Sequence, residues 1–393
     1  MASQVSRDLF TAMRAKSQLV LGLMSGTSID GVDYALCDVS ESRIRLREIW
    51  SAKFPPALQT RLHATARGSA TSWEAAQLHH DLGRFYARHA RRSAKSKLQL
   101  VGLHGQTVFH HPERKAPATL QLGEPAYLAE ALRVPVISNF RVADLAAGGQ
   151  GAPLATMFHV RVFGKRGRHV CVNNLGGISN VTSIDWRRGN EPKLLAFDTG
   201  PANVLIDLAT REISDGRLPF DRGGKLAARG RVDEALVNEW LRHPHFWRRP
   251  PKSTGRELFG EAFFKPALRT MRRRRFSDAD IVATFTALTA RSLALNYRLH
   301  LPASPEVIVL AGGGALNAAL RLAVETEIKK LNPGAVVQSS TELGWPVQSL
   351  EPAAFALLAW LRVRGEAGNF PETTGARRAV LLGQISEEAP LGA

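Results

Sequence analysis

The chain has 393 residues, 44% of them hydrophobic and 22% charged, a balance typical of a globular protein and a length beyond what one hydrophobic core serves, so two domains are expected. Its net charge of +17 is large, yet the basic residues are spread out. The clusters at 272–275 and at Arg91, Arg92, Lys95 and Lys97 have no interleaved aromatics, which argues against a nucleic-acid partner.

The longest apolar run, residues 352–361, is about half of the roughly 20 residues a membrane span needs, so no membrane partner is expected. Arg7, Arg14 and Lys16 precede the apolar residues 19–24, but that run is shorter than the roughly 7–15 residues of a signal-peptide core. Cys37 and Cys171 lie far apart without a CxxC, which fits a cytoplasmic protein.

In chain order, residues 18–21 read as a buried strand and residues 32–39 as a second. The stretch across them, residues 22–33, is GLMSGTSIDGVD. A glycine-rich turn there leaves backbone N–H groups and hydroxyls facing outward, a geometry suited to a polyphosphate. Asp30 and Asp33 repel bare phosphate, so a magnesium ion or ordered water belongs between them and such a ligand. A plain hairpin with a polar tip is the competing account. Residues 43–49 alternate and complete a three-stranded meander. A helix is expected over 72–93, then a strand over 98–103 that ends in His104-Gly-Gln-Thr107, where α/β proteins place ligand contacts. TLQLGE at 119–124 leads into a short helix ending at Arg133 and a strand over 134–138. The glycine-rich residues 146–153 are either a linker or a backbone surface pressed against a ligand.

The second half begins as the first did. Residues 169–175 and 178–184 read as strands around Gly176 and Gly177, a second glycine hairpin that points to an architectural duplication. A strand over 193–197 runs into Asp198-Thr-Gly-Pro-Ala-Asn203 and a helix from Val204. Taken by itself, Asp198 reads as a turn or cap aspartate. Helices are expected over 232–243 and 277–299, the latter opened by a Ser277–Asp280 capping box. The strand 306–310 enters Gly312, Gly313 and Gly314, followed by Asn317 and a helix to Leu331; those glycines serve either a flat ligand or close helix packing. PPKSTGRE at 250–257 is not a Walker loop, and the histidines lack zinc-ligand spacing.

Nine segments in consistent order, GLMSGTSIDGVD, GLHGQT, TLQLGE, SNFRVADLAAGGQGAPL, NNLGGISNVT, FDTGPANVLID, PPKSTGRE, AGGGALN and LEPAAFALLA, resemble the anhydro-N-acetylmuramic acid kinase family of the actin, heat-shock chaperone and sugar kinase superfamily. The resemblance implies an α/β fold, two-domain and actin-like (ribonuclease H-like), with ATP in an interdomain cleft. The first domain spans 1–164 and the second 165–393, with the helix near 350–364 packing back on the first. The implied activity opens the 1,6-anhydro ring with water and phosphorylates O6 in peptidoglycan recycling. ATP contacts are implied for Gly26, Thr27, Ser28, Asp30, Gly31, Asp33, Asn174, Gly176, Gly177, Asn180, Gly312, Gly313, Gly314 and Asn317. Asp198 matches the catalytic base; Asp30 and Asp198 are the implied Mg2+ residues, through water. The sugar contacts are His104, Gln106, Thr107, Asn139, Arg141, Asp144, Gly149 and Gln150. The partners are the small amino sugar and ATP, and a homodimer is allowed. Glu124 and Asn139 stand where the family commonly has aspartates, Ala202 where it has glycine and Pro352 where it has alanine. A kinase of an ordinary amino-sugar hydroxyl and a nucleotide-driven switch on the same fold are the alternatives.

Overall fold

The computed structural model describes residues 17–95, 97–112 and 116–387; Arg7, Arg14 and Lys16 lie outside them. The elements run β1 (Ser17–Ser25), β2 (Gly31–Ser40), β3 (Ile44–Lys53), α1 (Pro56–Ala66), α2 (Ser72–Ala90), β4 (Leu100–His111), β5 (Ala118–Leu122), α3 (Ala126–Leu132), β6 (Val136–Ser138), α4 (Val142–Ala146) and α5 (Thr156–Phe163). There follow β7 (His169–Leu175), β8 (Ile178–Asp185), β9 (Lys193–Pro201), α6 (Asn203–Ile213), α7 (Glu234–Trp240), α8 (Pro244–Trp247), α9 (Arg256–Phe259), α10 (Glu261–Arg273), α11 (Asp278–His300), β10 (Val307–Ala311), α12 (Ala318–Leu331) and β11 (Val336–Ser339). The chain closes with α13 (Leu350–Arg364), α14 (Pro371–Thr374) and β12 (Gln384–Ser386).

Two compact units result, one holding the residues up to 162 together with those from 348 onward, the other residues 163–347. The first contains a seven-stranded sheet in the order β12-β6-β4-β1-β2-β3, with β5 paired to β4. The second contains a five-stranded sheet in the order β11-β10-β7-β8-β9. In each, an antiparallel meander (β1-β2-β3; β7-β8-β9) continues through its first strand into parallel neighbours (β4 and β6; β10 and β11). The shared strand order is the ribonuclease H-like arrangement, once per unit, and it realises the duplication expected from the two glycine hairpins. No helix among the described residues is long and apolar enough to cross a membrane.

Local sequence accounts for the main elements. β1 and β2 are buried over most of their length, as strands flanked on both sides must be, whereas β3 alternates as an edge strand. Thr71 and Glu74 form a capping box at the start of α2, whose Leu78, Leu82 and Tyr86 enter the core. Ser277 and Asp280 do the same for α11. In the first unit α13 lies directly on β1 and β4. A Cβ on Gly22 would stand 1.8 Å from the Pro352 carbonyl oxygen, and one on Gly102 2.2 Å from that of Phe355. Only glycine admits a helix backbone this close.

Several expectations need correction. The strand read as 98–103 runs on through the HGQT segment to His111, because β5 pairs with that half. Residues beyond 364, assigned to the second domain, belong to the first unit, where β12 adds to β6. Helices α1, α5 and α10 and strand β11 were not anticipated. The helix read over 232–243 is shorter, α7 at Glu234–Trp240, and a separate turn of helix, α8, starts beyond it at Pro244. Each sequence departure is accommodated. Glu124 accepts from Ala126 N–H and lies 3.2 Å from His79 Nε2. Asn139 adopts φ 56°, a left-handed conformation asparagine tolerates. Ala202, fully buried, stands at the N-cap position of α6 with a negative φ of −119°. Pro352 occupies the first turn of α13, where its missing N–H leaves nothing unpaired.

Candidate active site

In the first unit the β1–β2 turn carries Gly26, Thr27, Ser28, Asp30 and Gly31. Thr27, Ser28 and Asp30 are exposed. The turn is held from beneath: Ile29 N–H donates to Gly26 O, Phe54 N–H to Asp30 O, and Gln59 to Ile29 O. Ile29 itself is buried at φ 57°. Gln106, fully buried, donates through Nε2 to the Gly26 carbonyl at 2.9 Å. The middle of β4 therefore fixes the tip of the β1–β2 turn. Ser28 Oγ donates to Asp30 Oδ1 at 2.7 Å. Asp33 pairs with Ser51 across the sheet and accepts its hydroxyl. Burial pushes its carboxyl up, Ser51 opposes this, and Asp30 adds to it.

The expected sugar segments form one network in the same unit. His104 is buried; its Nδ1–H donates to Gly105 O at 2.8 Å and its Nε2 accepts from Arg141 Nε and Nη2 at 3.1 and 2.9 Å. These partners assign a neutral Nδ1–H imidazole. Burial and the Arg141 charge hold its pKa well below the usual histidine value. Arg141 also donates to Gly151 O at 2.7 Å, and burial lowers it to about 10 against the pull of Glu351. Thr107 Oγ1 accepts from Gln121. Asp144 is 0% exposed, and its oxygens are taken by Gly151 N–H, Asn369 and Thr374. With its lone pairs engaged inside the protein, it shapes the 148–151 loop from below rather than facing a ligand. Gly149 fits only because a Cβ would lie 2.2 Å from Asp144 Oδ2, while Gln150 is exposed. Asn139 donates to Gln384.

Glu351 was not among the expected contacts, although it lies in the LEPAAFALLA segment. Its side chain reaches solvent, yet the protein around it and then Asp33 push its carboxyl up, with Arg141 opposing.

In the second unit the register decides the arrangement. Asn174 on β7 pairs with Asn180 on β8, which pairs with Asp198 on β9. Directly opposed residues share a face, so three expected residues stand in one rung beside the Gly176–Gly177 turn. The start of α6 is tied under that turn, with Asn203 N–H on Gly176 O and the N–H groups of Ala202 and Val204 on Gly177 O. A Cβ at Gly177 would meet nothing within 4 Å, and one at Gly176 nothing closer than 3.4 Å. These glycines keep backbone bare rather than serve packing. The rung continues to Ala311 on β10, so Gly312 sits beside Asn174. At φ 73°, its Cβ would lie 2.3 Å from Asn174 Oδ1, and that of Gly314 2.7 Å from Leu175 Cβ. Close packing therefore explains Gly312 and Gly314, as it does Gly31, whose Cβ would meet Ala52 O at 2.4 Å. Gly313 is open, and so is Gly26. Asn317 caps α12 through Oδ1.

Asp198 is partly buried. Burial raises its carboxyl to about 6, Thr254 N–H restrains the rise, Glu257 adds to it and Lys252 opposes it. The Thr254 bond is 2.9 Å to Oδ2. Lys252, in the PPKSTGRE segment, was also missed. It is 5% exposed, and burial first and Arg248 second lower it to about 8.

A family model described as anhydro-N-acetylmuramic acid kinase matches residues 18–388. The chain belongs to the anhydro-N-acetylmuramic acid kinase family. It is thus a phosphotransferase. An anhydro-N-acetylmuramic acid kinase of Microcystis aeruginosa is 40% identical over 378 residues, 93% of this chain and 99% of the relative. The family's protein in Gloeobacter violaceus is 42% identical over 388 residues, 93% of this chain and 98% of the relative. Among solved structures, the activator of the 2-hydroxyisocaproyl-CoA dehydratase from Clostridium difficile, with bound ADPNP, aligns at TM-score 0.42 and 12% identity over 88% of this chain and 96% of that one, too distant to bear on function.

Proposed function

We propose that the chain uses ATP to open the ring of 1,6-anhydro-N-acetylmuramic acid and phosphorylate O6, with Asp198 as the base. The observation that carries this reading is the Asn174–Asn180–Asp198 rung beside a turn of bare backbone. In the anhydro sugar O6 is bridged to C1, so no 6-hydroxyl exists to deprotonate. Asp198 takes a proton from water as the water oxygen bonds to C1. The C1–O6 bond breaks, O6 bonds to the γ-phosphorus, and ADP leaves with the electrons of the broken P–O bond. A positioned base contributes about 10²–10⁴-fold. The proton affinity of Asp198, raised to about 6, lets it accept a proton while remaining mostly ionised near neutrality.

The Gly26–Gly31 and Gly176–Gly177 turns are the phosphate-binding backbones, assisted by Thr27, Ser28, Asn174 and Asn180. Gly313 and Asn317 border the adenosine. Arg141 and Gln150 receive the sugar, with His104 holding Arg141 and Asp144 and Gly149 shaping their loop. Among the described residues no cluster of three His, Cys, Asp or Glu side chains gathers for a metal. Mg2+ held mainly by phosphates and water needs only one or two carboxylates, and the exposed Asp30 and partly buried Asp198 fit that demand. When bound it offsets charge on the phosphates. The free, buried thiols of Cys37 and Cys171 and the recycling of wall sugars suit the cytoplasm.

A panel of amino sugars with and without the anhydro bridge, assayed for ADP release in ¹⁸O-water, tests the proposal. Turnover is expected only with the bridged sugar, with label at C1. Label in the new phosphate, or preference for an open sugar, rejects it.

A further inference from the structure

Residues 252–255 have no helix or strand, yet they hold Asp198 twice. Lys252 O accepts the Asp198 N–H at 3.1 Å, and Thr254 N–H donates to Oδ2 at 2.9 Å. What fastens this irregular segment is the Lys252 side chain. Its buried Nζ donates to His245 O at 3.0 Å, Phe246 O at 3.1 Å and Asn296 Oδ1 at 2.6 Å, and it stands 3.4 Å from His300 Nε2. It also lies 5.6 Å from the ring centre of Phe197, the residue before Asp198. Asn296 completes the frame by donating to Thr199 O at 3.0 Å and Ser292 O at 2.7 Å, while Thr289 donates to Ala202 O. An apolar side chain would fill this space without the cost of burying an ammonium. The ammonium supplies instead three directed bonds from one atom.

We propose that Lys252, anchored by Asn296, is a positioning residue for Asp198: it ties the 252–254 segment to α11 and to α8, and that segment aims the carboxylate. The proposal rests on Asp198 being the base. Arg248, Glu257, His245 and His300, the other charged or titratable groups around the cluster, stay in place in every variant.

The test uses the full chain with Lys252→Met, Asn296→Leu and, as reference, Asp198→Asn. For Lys252→Met, kcat is expected to fall about 100-fold, the cost of a misaimed catalytic group, with KM for ATP and for the anhydro sugar within about twofold of the parent. Asn296→Leu, which removes one of the three bonds, is expected to lose about tenfold in kcat in the same pattern. A second readout is independent of turnover. The Thr254 amide proton, which donates to a carboxylate, should shift upfield in ¹⁵N-edited NMR spectra of both variants. Unchanged kcat in Lys252→Met, or parallel rises in KM, overturns the proposal, as does an unmoved Thr254 amide. If Lys252→Met gives no cooperative melt, Asn296→Leu decides by the same criteria. Full turnover in Asp198→Asn instead overturns the base assignment, an outcome distinct from failure of the Lys252 readouts.

Discussion

Asp198 is costly where it sits. Its carboxyl, near 3.8 in an unfolded chain, is raised to about 6 in the fold, so the folded protein favours the protonated form. Below pH 4 both states carry the proton and nothing is lost. As pH rises from about 4 to 6 the fold loses stability, and above 6 the full cost remains, at most about 3 kcal/mol. Asp198→Asn is therefore expected to melt higher than the parent at pH 7.5, by an advantage that vanishes below pH 4, while turnover falls at least 10²-fold and nucleotide still binds. Scanning calorimetry across pH and a turnover assay check both halves; a variant less stable at pH 7.5 contradicts the assignment of burial as the cause. The same value places the acid limb of kcat/KM near pH 6. Asp198 was legible only through resemblance, because an aspartate after a strand reads equally as a cap. Lys252 was not legible at all: its role depends on carbonyls at 245 and 246 and an amide at 296, which no spacing in the sequence brings together. Among the glycines, the sequence could not separate those that keep backbone open from those forced by packing. The space beside each Cα separates them: open at Gly177, closed by backbone at Gly22 and Gly102.

At the scale of elements, the contact of α13 with β1 and β4 is the most sharply constrained. The Cβ of Gly22→Ala or Gly102→Ala would overlap helix backbone, not the mobile end of a side chain, so relief requires moving α13. Each substitution is expected to cost about 3 kcal/mol, the upper end for overpacking, and to lower the melting temperature by several degrees. Gly177→Ala, with nothing within 4 Å, should leave the melt within about a degree while weakening nucleotide binding. Thermal melts of the three variants test the contrast. The two hairpins and helices α2 and α11 were readable from turn glycines, alternation, helical periodicity and, for α11, its Ser277–Asp280 capping box. Helices α1 and α10 escaped notice for local reasons: α1 contributes only Leu58 and Leu62 to the buried set, and α10 carries an internal Pro266.

Taken whole, the chain is one topology used twice, but the two copies differ in how they are assembled. The second unit is continuous over 163–347 and has its own core, from Cys171 and Leu175 through Phe285 and Leu288 to Val324 and Ile328. Expressed alone, residues 163–347 are expected to give a single cooperative melt. Residues 17–162 alone are not, since β1 and β4 then lack α13 and β6 lacks β12; supplying residues 348–387 through a short linker should restore the melt. Circular dichroism of the three fragments tests this, and a cooperative melt from 17–162 alone refutes it. Some of the basic residues are paired locally, as where Arg272 meets Asp278 and Arg92 meets Glu48, and the net charge of +17 is the excess over all such acidic partners. The sequence suggested the duplication because glycine hairpins are local signals. It misplaced the tail because the pairing of β12 with β6 joins residues some 250 positions apart.

The return of α13 to β1 and β4 sets an order of events on the ribosome. A nascent chain lengthens by about 5–20 residues per second, so the opening strands emerge on the order of tens of seconds before the helix that must cover Gly22 and Gly102. The half made first is finished last, and the half made second has no such wait. During that interval the exposed apolar faces of β1 and β4 are the segments a chaperone has most reason to hold.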